Sequence, residues 1–91
     1  MTDAFQALRA RFRVRAAQEL TQLEALTAAG PDSAELRRLV HNIAGAAGTF
    51  GFPVLSEAAI AIDDCYAAGT PPPPETFRTL AQALSDAAAG G

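Results

Sequence analysis

Three breaks divide this chain into four stretches that suit helices and little else. The breaks are Gly30-Pro31, Gly51-Phe52-Pro53 and Gly69-Thr-Pro-Pro-Pro-Pro74. Glycine just past a helix end and proline just beyond it are stop signals, because glycine takes the left-handed conformation freely and proline cannot extend the helical ladder. Between the breaks the chain is rich in strong helix formers, with 22 alanines among 91 residues, and no stretch sustains the period-2 alternation of a strand.

Each stretch carries an apolar stripe at helical spacing. The first, Asp3 to Ala28, presents Phe5, Leu8, Phe12, Ala16, Leu20, Leu23 and Leu26. At 1.5 Å per residue it would span about 39 Å, longer than the others, so one end should overhang or bend. The second opens with Asp32 as N-cap and Glu35 completing a capping box, and its stripe is Leu36, Leu39, Val40, Ile43, Ala47 and Phe50. The third begins near Pro53 and carries Leu55, Ala58, Ala59, Ile62, Cys65 and Tyr66, with Cys65 expected to be packed. The fourth, Glu75 to Ala88, turns Phe77, Leu80, Ala81 and Leu84 inward after a stiff polyproline connector. Four such helices with short connections bury their stripes best as an all-α, antiparallel up-and-down four-helix bundle, a single domain over residues 1–91.

Composition removes several chemistries. One cysteine excludes an internal disulfide, one histidine excludes a histidine-pair metal site, and no cofactor or metal is expected. A net charge of −3 argues against general nucleic-acid binding. Arg9, Arg11, Arg13 and Arg15 interleave with Phe12 and Val14, but they spread over about 200° of a helical wheel and read as a solvated face. No apolar run approaches the roughly 20 residues of a membrane span, and MTDAFQALRARF lacks the apolar stretch of a secretion signal, so a cytoplasmic protein is expected; a monomer is expected as well.

His41 stands apart. With Leu36 at 0° and about 100° per residue, the apolar residues of the second helix fall between about 300° and 40°, and His41 falls near 140°. It is therefore expected to be exposed in mid-helix. Arg37 and Arg38 precede it by four and three residues; Ala44, Gly45 and Gly48 follow at three, four and seven. A glycine inside a helix costs about 1 kcal/mol relative to alanine, so two of them call for close approach of something. That something is either a neighbouring helix or an external partner, and the exposed histidine on the same face favours the partner. An uncharged imidazole is a competent nucleophile toward an activated phosphoryl group, and flanking arginines would offset the phosphate's charge.

The run His41-Asn-Ile-Ala-Gly-Ala-Ala-Gly-Thr-Phe-Gly-Phe52, followed by Leu55, resembles the signature of histidine-containing phosphotransfer domains: histidine, two residues, a basic residue, Gly, two small residues, and a Gly ten residues after the histidine. Gly48-Thr-Phe-Gly-Phe52 looks especially like the phosphotransfer domain of chemotaxis-type histidine kinases. The resemblance implies a four-helix bundle in a bacterial two-component phosphorelay. His41 would be the phosphoacceptor through Nε2, exchanging the group with receiver-domain aspartates of response regulators or taking it from a histidine kinase. Ala44, Gly45 and Gly48 would form the docking area, and Phe50 and Phe52 would belong to the core. The family's usual basic residue three positions after the histidine is Ala44 here, and Arg37 or Arg38 is the candidate substitute. In chemotaxis-type relatives an acidic residue of the next helix orients the histidine through its inner nitrogen; Asp63 stands at the corresponding position. Asp63-Asp64 also reads, and more simply, as the solvated acidic end of the third helix. The competing reading of the whole chain is a helical interaction module that keeps the fold without the chemistry, for which Ala44 is the best support.

Overall fold

A computed structural model describes residues 3–90. It contains four helices, α1 (Asp3–Ala29), α2 (Ala34–Thr49), α3 (Pro53–Ala67) and α4 (Pro74–Ala88), and no strand among the described residues. Neighbours in sequence pack side by side, α4 closes the ring against α1, and the diagonal pairs stay apart. That is the up-and-down four-helix bundle expected from the stripes. α2 lies most extensively on α3, and the seam between α1 and α2 is the sparsest.

The helix ends follow the glycines. Gly51 (φ 81°) and Gly69 (φ 73°) adopt the left-handed conformation that side-chain-bearing residues resist. At each, the following residue reaches back in a Schellman closure: Phe52 N donates to Ala47 O at 2.9 Å and Thr70 N to Cys65 O at 2.9 Å. Proline occupies the first turn of both α3 and α4, where its missing N–H is harmless. The start of α2 differs from the capping box read at Asp32. Ser33 is the N-cap, its extended backbone letting Oγ accept from Leu36 N at 3.1 Å. Asp32, one residue too early, turns its carboxylate to Arg37 instead.

The core is built from the predicted stripes. Val40, Leu36 and Ile43 of α2 meet Leu23, Ile62, Leu80 and Leu84 at full burial, each stabilising the fold by about 1.5–3 kcal/mol. At one end Phe12 lies between Phe50 and Phe52, with ring centroids 5.5 and 4.8 Å apart. Phe5 and Leu8 of the first stripe do not join the core; both are exposed. α1 has 27 residues against 15 or 16 in the others, so its first turns run beyond the point where α2 ends and α3 begins. Cys65, in the last turn of α3, is only half-buried rather than packed.

Candidate functional site

α2 and α3 run antiparallel in a register that can be followed down their exposed seam. Ser56 Oγ donates to Ala44 O at 3.2 Å, Asp63 meets His41, and the Tyr66 ring lies under the Arg37 guanidinium. Moving back along α2 from Ala44 to His41 to Arg37 moves forward along α3 from Ser56 to Asp63 to Tyr66, as antiparallel packing requires. This places His41 in the middle of a rigid helix whose other face is locked into the core by Val40 and Ile43.

The imidazole points into solvent, with 73% of its side chain exposed. Its one polar contact among the described residues is Nδ1 to Asp63 Oδ2, at 3.0 Å. A carboxylate only accepts, so the hydrogen sits on Nδ1, and in the uncharged ring the lone pair is presented at Nε2. Asp63 is thus partnered to the histidine, and the solvated-end reading describes Asp64, which is exposed, rather than Asp63.

The glycines beside His41 lack an internal reason. A methyl group on Gly45 would meet nothing within 4 Å, and one on Gly48 would make only van der Waals contact with Ser56 Oγ at 3.5 Å. Neither is forced by a neighbouring helix of the bundle. The face is bare, and Ala44 beside it is half-buried with Ser56 on its carbonyl.

The two arginines part company. Arg37 Nη2 donates to Asp32 Oδ1 at 2.5 Å, and its guanidinium carbon stands 4.8 Å from the Tyr66 ring centroid. The Asp32 carboxylate pushes the Arg37 pKa upward. Arg38 joins none of the ion pairs among the described residues and lines the α1–α2 seam with Glu19, Gln22 and Asn42.

Two features escaped the sequence. The Asp32–Arg37–Tyr66 cluster joins residues up to 34 apart, and only the i,i+5 spacing of the first two gave any local hint. Glu19 is buried to 6% exposure in α1, with Oε2 accepting from Arg15 Nε at 3.0 Å and Oε1 without a donor. Burial pushes its carboxyl pKa up against the pull of Arg15. The i,i+4 Arg15–Glu19 spacing was visible, but the burial was not.

Among the described residues no group of histidine, cysteine and acidic side chains is arranged to hold a metal, and no helix is long and apolar enough to cross a membrane. No curated protein and no solved structure matches the chain. A family model described as Hpt domain matches residues 7–90, nearly the whole sequence and all four helices around His41. The chain therefore belongs to the Hpt domain family, whose members carry out histidine phosphotransfer in phosphorelays and work with receiver domains and kinases.

Proposed function

We propose that this chain is a phosphocarrier that accepts a phosphoryl group on Nε2 of His41 from a receiver-domain aspartyl phosphate or a kinase and delivers it to another receiver aspartate. The observation that carries the reading is the 3.0 Å contact between His41 Nδ1 and Asp63 Oδ2 on an imidazole otherwise open to solvent. It fixes the tautomer that a nucleophilic Nε2 requires.

In the forward step the Nε2 lone pair forms the new N–P bond while the P–O bond to the partner's aspartate breaks. That carboxylate leaves with the bonding electrons. The Nδ1 proton stays in place, and the ring becomes a phosphorylated imidazolium whose charge Asp63 offsets. The return step is the reverse. Such transfers pass through a loose transition state, so positioning and charge stabilisation supply most of the catalysis. A divalent ion and a lysine belong to the receiver. This chain contributes a histidine fixed on a packed helix, the Arg38 cation three residues before it, and the open surface at Ala44, Gly45 and Gly48 where the receiver's loops would lie. The likeness to chemotaxis-type phosphotransfer domains belongs to the same proposal. It is supported by Asp63 reaching His41 from α3 and by the Gly48–Phe52 run. A cytoplasmic, bacterial setting and a monomeric state accompany it.

A second reading rests on Ala44: an Hpt fold that docks receivers without carrying phosphate. The two separate on one experiment. Incubation with a phosphorylated receiver should place acid-labile, alkali-stable phosphate on this chain, and His41→Gln should abolish it. Receiver binding without any such label would favour the docking module.

A further inference from the structure

We infer that Asp32 and Tyr66 are positioning residues that hold the Arg37 guanidinium away from the phosphoacceptor, so that the phosphoryl group on His41 is left one cation short. The inference rests on His41 being the phosphoacceptor.

Arg37 lies four residues before His41, about one turn, and like it is exposed on α2. From there a long, flexible guanidinium can reach either toward His41 or back toward the start of the helix. Three contacts direct it back. Asp32 Oδ1 accepts from Nη2 at 2.5 Å. The Tyr66 ring lies 4.8 Å from the guanidinium carbon, in cation–π range. The Tyr66 hydroxyl donates to Pro31 O at 2.7 Å, which ties that ring to the same loop that carries Asp32. The loop between α1 and α2 and the last turn of α3 thus form one receptacle, and the guanidinium sits in it. Burial raises the Tyr66 pKa, keeping the phenol in the protonated form that donates to Pro31.

Nothing comparable engages Arg38 among the described residues, and position 44, where the family places a cation, holds alanine. A phosphoryl dianion on Nε2 therefore has one uncommitted arginine within a helical turn. Removing the Asp32 charge frees the second. A guanidinium paired with the phosphoryl oxygens stabilises the dianion and screens the phosphorus from water, so the phosphohistidine should persist longer.

The full chain is charged with phosphoramidate, whose P–N bond breaks as the His41 Nε2–P bond forms and ammonia leaves. Decay of the phosphohistidine is followed by ³¹P NMR. Asp32→Asn should lengthen its lifetime about threefold, and the Arg37 Nε–H resonance should lose the ring-current shift imposed by Tyr66. Asp32→Asn with Arg37→Gln should return the lifetime to the starting value. An unchanged lifetime in Asp32→Asn overturns the inference, as does lengthening that survives in the double variant, since that would be a field effect of Asp32 alone. A wild-type chain that charges but shows no Asp32 effect leaves the carrier function standing, whereas a chain that never charges removes both.

Discussion

Asp63 Oδ2 stands 3.0 Å from Nδ1 of His41, joining the third helix to the second across their exposed seam. With the carboxylate as acceptor, the ring keeps its hydrogen inside and its lone pair outside. Without it, an imidazole on a helix surface exchanges tautomers and rotates about its side-chain torsions.

Asp63→Ala should therefore slow phosphorylation of His41 by about tenfold, while global stability changes by less than about 1 kcal/mol, as for other partly exposed pairs. Long-range ¹H–¹⁵N spectra of the ring give the specific readout. Nδ1 should carry the hydrogen in the wild-type chain, and a mixture of tautomers should appear in the variant. A pure Nδ1–H ring in Asp63→Ala would show that the contact does not set the tautomer.

Gly45 offers a test in which folding and docking move in opposite directions. A methyl group there meets nothing within 4 Å, so Gly45→Ala should stabilise the chain by about 1 kcal/mol through helix propensity alone. Gly45→Leu should fold as well as the wild-type chain and still accept phosphate from phosphoramidate, a donor too small to be obstructed. Its exchange with a receiver domain should fall by at least tenfold, on the order of one lost or distorted contact at the interface centre. Stability measured by thermal melts and transfer measured by receiver labelling separate the two effects. Full receiver transfer in Gly45→Leu would place docking elsewhere.

Much of this was legible before the structure, for a physical reason. Helix stripes, glycine stops and an exposed mid-helix histidine are local properties, and a wheel drawn from Leu36 puts His41 outside without knowledge of any neighbour. The partners of His41 and Arg37 are not local. Asp63 lies 22 residues away and its role depends on the register of α2 against α3, which periodicity does not set; without that register, an acidic pair near a helix end reads as solvated. Phe5 and Leu8 share the stripe of Phe12, but the lengths of the other helices decide where the core ends. The N-cap moved from Asp32 to Ser33 because both residue types cap well, and Asp32 found a cation in Arg37.

Ala44 can be tested by restoring charge. The residue is half-buried at the α2–α3 seam, and Ser56 binds its carbonyl rather than its side chain. A lysine there keeps that hydrogen bond and can run its apolar stem along the seam with the ammonium in water. Ala44→Lys should leave the melting temperature within a few degrees and raise the rate of phosphoryl transfer to His41 roughly three- to tenfold, the scale of one added charge-assisted contact in the transition state. A transfer rate at or below that of the wild-type chain, at unchanged stability, would show that charge at this position is not what limits the reaction.

Glu19 should make stability depend on pH in an unusual direction for a carboxylate. Its pKa in the folded chain is raised above the ordinary 4.5, chiefly by burial. Between the unfolded and folded values the native state binds more protons than the unfolded state, so unfolding free energy falls as pH rises through that window. Below the unfolded value both states are protonated and the penalty vanishes; above the folded value it is complete. Glu19→Gln removes the charge, retains the shape, and gives the amide a donor that no longer demands desolvation of an anion. It should raise unfolding free energy by on the order of 1 kcal/mol at pH 7, with the gain shrinking toward zero near pH 4. Loss of the Arg15 contact, which is itself largely exposed on the arginine side, offsets only part of that gain. Denaturant titrations of both chains at pH 4, 5.5 and 7 would check the trend, and a variant less stable at pH 7 than at pH 4 relative to wild type would mean that the Arg15 pairing outweighs burial.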